Sequence, residues 1–182
     1  TDVTGLYTYT VNGTAPCANA SAVLNITVHP APNPGTNGVV TLCSTDGVFT
    51  LFGALGGSPD VGGSWRDPAN QPHSGSFTPG TSAPGVYTYT VVGLAPCDPA
   101  SSTVTVTVNT APNAGIGVSI SRCSNNASFN LFNQLGGTPN AGGSWTGPLG
   151  AHSATFDPAT DQSGPYTYTV LGLAPCANAT AV

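Results

Sequence analysis

Residues 86–91 read Val-Tyr-Thr-Tyr-Thr-Val, the sharpest alternation in the chain. A strand sends successive side chains to opposite faces, so Tyr87, Tyr89 and Val91 share one face while Thr88, Thr90 and Val92 take the other. Residues 102–108 alternate valine with threonine in the same way, which predicts a closing hairpin with an apolar inner face. Further upstream, residues 39–43 predict a short strand, and Ser44, Thr45, Asp46 and Gly47 a turn. Residues 49–52 resume as a strand that tightens into one helical turn across Leu51, Phe52 and Leu55, with Gly56 as the left-handed stop. Gly62 and Gly63 turn the chain into a third strand at Ser64 and Trp65, and residues 76–79 make a fourth.

This pattern recurs along the chain. Gly-x-Tyr-Thr-Tyr-Thr-Val places its first tyrosine at Tyr7, Tyr87 and Tyr166. Ala-Pro-Cys ends at Cys17, Cys97 and Cys176, a second cysteine falls at Cys43 and Cys123, and Gly-Gly-Ser-Trp ends at Trp65 and Trp145. A fixed step of about 80 residues marks a tandem array of small modules. Residues 1–29 match only the last hairpin of a preceding module. Residues 30–109 match a whole module, and residues 110–182 match one lacking its last strand, so a natural protein longer at both ends is expected. Short strands with an aromatic and valine inner face and a threonine outer face predict an all-β fold, with each module an immunoglobulin-like antiparallel β-sandwich.

Composition narrows the function. Charged residues are 5% of the chain, the only cations are Arg66 and Arg122, and the net charge is −5. So few basic groups argue against nucleic acid or anionic lipid as partners. With 39% apolar residues at recurring positions, disorder is a poor alternative. No run approaches the roughly 18–20 apolar residues that would cross a bilayer. Cysteines recurring in small, weakly charged β modules point to disulfides and an oxidising, extracellular compartment.

Two disulfide schemes repeat equally well. Pairing within modules joins Cys43 to Cys97 and Cys123 to Cys176, leaving Cys17 to a partner outside the chain. Pairing across the joint joins Cys17 to Cys43 and Cys97 to Cys123. Six alternating strands put the turns bearing Cys43 and Cys97 at one end, which favours the first scheme.

The string Ala-Pro-Asn-x-Gly, Cys-Ser, Leu-Phe-x-x-Leu-Gly-Gly-x-Pro, Gly-Gly-Ser-Trp, Phe-x-Pro, Tyr-Thr-Tyr-Thr-Val and Ala-Pro-Cys resembles the tandem repeats of very large secreted surface proteins of Bacteroidota. The resemblance implies immunoglobulin-like or PKD-like adhesin modules of the kind found in gliding-motility-associated and type IX secreted proteins. It implies no catalytic residue and no cofactor. The expected role is a structural segment of an extracellular fibre or adhesin stalk, with copies of itself as partners in lateral or end-to-end filament packing. A glycan- or host-surface-binding array, and a spacer within a secreted polysaccharide-degrading enzyme, are the alternatives.

Candidate sites are weak by comparison. Trp65 and Trp145 suit a sandwich core better than sugar-stacking platforms, and Tyr87, Tyr89, Tyr166 and Tyr168 share a face with valines and read as core. His73 and His152 have no second ligand at metal spacing. Asp67, Asp98 and Asp157 each precede proline and mark turns. Asp46 and Asp60 become Asn126 and Asn140 in the next repeat, which argues against a repeated calcium cage. Ser74, His73 and Asp67 lack the strained turn of a serine nucleophile. Asn12, Asn19, Asn25, Asn126 and Asn178 open glycosylation-like triplets.

Overall fold

The computed structural model describes residues 4–182 and is all-β, with two single turns of 3-10 helix. A hairpin opens the chain: β1 (Gly5–Val11) pairs antiparallel with β2 (Ala20–Ile26). The first full repeat supplies β3 (Gly38–Cys43), β4 (Phe49–Thr50), a helical turn at Leu51–Ala54, β5 (Ser64–Arg66), β6 (Pro72–His73), β7 (Ser76–Phe77), β8 (Gly85–Val91) and β9 (Ala100–Asn109). The second supplies β10 (Phe129–Asn130), a turn at Phe132–Gln134, β11 (Ser144–Gly147), β12 (Gly150–His152), β13 (Thr155–Phe156), β14 (Thr167–Val170) and β15 (Ala179–Ala181).

In the first repeat a five-stranded sheet runs β3-β9-β8-β5-β6, and β4 and β7 form a separate two-stranded ladder. Alternation sets what each strand buries: β8 turns Tyr87, Tyr89 and Val91 inward, and β9 turns Ser102, Val104 and Val106 inward. The small ladder covers this face, where Phe77 of β7 meets Tyr87 edge-on at 5.8 Å between ring centroids. Leu42, Leu51, Leu55 and Trp65 complete the core. The second repeat builds the same core from Leu131, Trp145, Tyr168 and Val170.

Three local expectations need correction. The left-handed residue after the helical turn is Gly57 (φ 72°), followed by Ser58 (φ 50°), and Gly56 is outside that region. The third strand is followed by an unforeseen partner, β6, so the repeat has more strands than the six expected. The sheet is also not wholly antiparallel: β3 runs parallel to β9, from Gly38 opposite Val104 to Cys43 opposite Asn109. The chain therefore enters the repeat beside the start of β3 and leaves it beside the end of β3.

Candidate functional site

Proline-bearing segments join the repeats, and each is tied down by backbone hydrogen bonds. In the first, Asn33 donates from its backbone to Asp60 Oδ2 at 2.8 Å and from its side chain to the carbonyls of Gly57 and Ser58. In the second, Asn113 donates to Asn140 Oδ1 at 2.7 Å. The turn after the first strand shows the same exchange: Cys43 N donates to Asp46 Oδ2, and Cys123 N to Asn126 Oδ1. Each place needs only an acceptor oxygen, which carboxylate and amide supply equally. This accounts for the Asp-to-Asn interchange between repeats. It was visible in the sequence, but only as evidence against calcium.

The tyrosine hydroxyls are satisfied in the same repeating way. Tyr89 donates to the carbonyl of Asp60 and accepts from Gly63 N, and Tyr168 does the same with Asn140 and Gly143. Tyr87 donates to Ala83 and Tyr166 to Gln162. Trp65 and Trp145 are 7% and 6% exposed and pack against Tyr89 and Tyr168 at 4.9 and 5.0 Å, so they present no open ring to a sugar. His73 accepts from Gly75 N through Nδ1, and His152 lies 3.3 Å from Asp161. No three His, Cys or carboxylate groups converge at metal-binding distance among the described residues. No helix among them is long and apolar enough to cross a membrane. Asn19, Asn126 and Asn178 each accept a backbone N–H through Oδ1, which gives these triplet residues a local structural use.

The most specific chemistry lies at the joint between the repeats. Cys43, at the end of β3, is disulfide-bonded to Cys176, in the turn between β14 and β15, across a sequence separation of 133. The intramodule pairs Cys43–Cys97 and Cys123–Cys176 do not occur, and neither do the cross-joint pairs Cys17–Cys43 and Cys97–Cys123. Cys17, Cys97 and Cys123 are free thiols. The parallel pairing is the physical reason. It puts Cys43 beside Asn109, whereas Cys97 precedes the ten-residue strand β9 and lies at its opposite end. That strand is roughly 30 Å long at about 3.3 Å per residue, far beyond a disulfide's reach.

Around the bond the joint is densely tied. Ser44 N donates to the carbonyl of Asn109, and Ser44 Oγ accepts from Ala111 N at 2.9 Å. The Asn109 side chain donates to the carbonyl of Ala174 at 2.7 Å, beside the Cys176 turn. The hydroxyl of Thr45 points at Cys43 Sγ at 3.3 Å. Ser44 entered the sequence reading only as a turn residue and Asn109 had no role assigned, because a lone polar residue at a strand end carries no periodic signal.

The second repeat also holds a groove of about 660 Å³, lined by Val118, Ile120, Leu131, Trp145, Phe156 and Tyr166 among others. Among the described residues, no strand pairs with residues 118–123, the counterpart of β3.

The chain matches no protein-family model and no curated protein.

Proposed function

We propose that this chain is a structural, non-enzymatic segment of an extracellular fibre or adhesin stalk, built from immunoglobulin-like β-sandwich modules in line. The observation that carries the reading is the Cys43–Cys176 bond, which staples the first strand of one repeat to the last hairpin of the next. A chain so joined cannot be drawn out between those residues without breaking a covalent bond, a property suited to bearing load. A disulfide of this kind belongs to an oxidising compartment. The resemblance to Bacteroidota surface repeats agrees with export to the cell surface.

The scarcity of charge supports a second element of the reading. A surface of threonine, asparagine and glycine lacks the mutual repulsion that keeps ordinary soluble proteins apart, which favours lateral packing of modules into bundles. Copies of the chain are then its principal partners, with no call for a cofactor.

Immunogold electron microscopy of the source cells, using antibody raised against the purified chain, tests this. Gold is expected along filaments outside the cell. Labelling confined to the cell interior, or to dispersed single molecules in the medium, overturns the proposal.

A further inference from the structure

Tension on the first repeat enters through residues 30–37, at the start of β3, and leaves at Asn109, the end of β9. Because the two strands are parallel, these points lie at opposite ends of the pair. Six residue pairs stand between them, from Gly38 opposite Val104 to Cys43 opposite Asn109. Such a pull slides β3 along β9 and loads the hydrogen bonds of the ladder together. A pull on two neighbouring strands from the same end instead loads those bonds one after another, as in opening an antiparallel hairpin.

The ladder is continued past both ends of β3. Asn37 Oδ1 accepts from Thr103 N at 2.9 Å, and Ser44 N donates to the carbonyl of Asn109 at 2.8 Å. Backbone N–H groups alternate sides along a strand, so Leu42 and Val40 aim theirs at β9 as Ser44 does. Cys43 N faces the other way, onto Asp46 Oδ2. The partner strand is well anchored. It lies between β3 and β8, and its Val104 and Val106 are buried in the core.

The disulfide redirects this load. Cys43 ends β3 and is bonded to Cys176, in the turn between β14 and β15. With the bond closed, tension between the entry of β3 and the last hairpin of the next repeat runs from Gly38 to Cys43, crosses the two sulfurs and continues into β15. Both ends of the load on the first repeat then fall on β3, and the β3–β9 ladder is not sheared. Residues 44–175 lie off the line of force.

We propose that β3 is a load-bearing strap with two states. Closed by Cys43–Cys176, it carries tension covalently past the cores of both repeats. With the bond open, the same tension is held by the parallel β3–β9 ladder in shear. The resistance rests on the geometry alone; its biological use rests on the fibre reading. Dithiothreitol interconverts the states. One of its thiolates attacks Cys176 Sγ and releases the Cys43 thiolate, and the other then displaces Cys176 as the reagent closes to its cyclic disulfide. Two electrons and two protons pass to the protein.

Single-molecule force spectroscopy of the full chain tests both states. Held by tags at its two termini, the oxidised chain is expected to release no length from residues 44–175. Dithiothreitol is expected to add roughly 450 Å of contour, set by the 133-residue separation of the bonded cysteines. In the reduced chain one handle stays at the N-terminus. The other sits on an azido residue replacing either Thr110, just after β9, or Asp98, just before it, both exposed. The Thr110 handle shears the ladder and the Asp98 handle peels it, and neither loads the second repeat. Forced unfolding follows the barrier crossed and not the equilibrium stability, so the peeled repeat is expected to open at about half the force or less. Val40→Pro, which removes an N–H aimed at β9, is expected to lower the shear force towards the peeling value. Thr41→Pro, whose N–H faces away, is expected to leave it near that of the unaltered chain. If Val40→Pro does not fold, the two handle positions decide alone. Equal forces at the two handles, or extension of residues 44–175 in the oxidised chain, overturns the proposal, whatever the immunogold labelling shows.

Discussion

Gly63 lies against the ring of Tyr89: its N–H donates to the tyrosine hydroxyl at 2.8 Å, and a Cβ added to Gly63 would stand 2.5 Å from Cζ of that ring. Gly143 and Tyr168 repeat the relationship, with 2.8 Å and 2.6 Å. The second glycine of Gly-Gly-Ser-Trp is therefore a packing requirement. The first is a conformational one, since Gly62 and Gly142 have φ near 88° and 87°.

Gly63→Ala is expected to destabilise the first repeat by about 2–3 kcal/mol, because a buried ring must move and its hydroxyl loses a donor. Urea unfolding followed by tryptophan fluorescence measures this. Gly47→Ala, where an added Cβ meets nothing within 4 Å, is the control and should change stability by less than about 0.5 kcal/mol.

The disulfide has a direct chemical readout. Trypsin can cut only after Arg66 and Arg122, giving peptides 1–66, 67–122 and 123–182. Digestion of unfolded, unreduced chain should leave the first and third peptides joined through Cys43–Cys176 and the middle one free. A first peptide joined to the middle one would instead mean a bond from Cys17 or Cys43 to Cys97, the one cysteine of residues 67–122. Reduction should lower stability by up to about 5 kcal/mol, from the chain entropy of so long a closed loop, as a fall in the urea midpoint on adding reductant.

Asp161 introduces an acid response in the second repeat. Its carboxylate accepts from Asp157 N at 2.7 Å and lies 3.3 Å from His152, and its pKa is held below the ordinary Asp value, chiefly by that backbone bond. A lowered folded-state pKa means that the contribution is fully present above pH 3.8 and is lost as the pH falls through the folded value. In the first repeat Ser82 does the same job without charge, accepting from Thr78 N at 3.0 Å. Asp161→Ser is thus expected to lower Tm at pH 6 and to matter progressively less towards pH 2. An undiminished gap at pH 2 would show that the charge is not responsible.

Much of this was legible without coordinates. Alternation alone placed β8, β9 and the apolar face of tyrosines and valines, because side-chain direction in a strand follows from sequence parity. The repeat step set the equivalence between Gly63 and Gly143, and between Cys43 and Cys123, that the geometry later used. The helical turn near Leu51 was foreseen, but its left-handed exit fell one residue late, since adjacent glycines can exchange that role at no steric cost. The two-residue strand β6 was missed, being too short to show any period.

By itself, then, the sequence determined an all-β chain of equivalent units, and which side of each strand is apolar. Both are local properties, written in neighbours two residues apart or one repeat apart. Tertiary structure alone decided which way β3 runs beside β9, and hence that Cys43 meets Cys176 and not Cys97. Strand direction in a sheet depends on pairing across some sixty residues, and no side-chain alternation distinguishes a parallel neighbour from an antiparallel one.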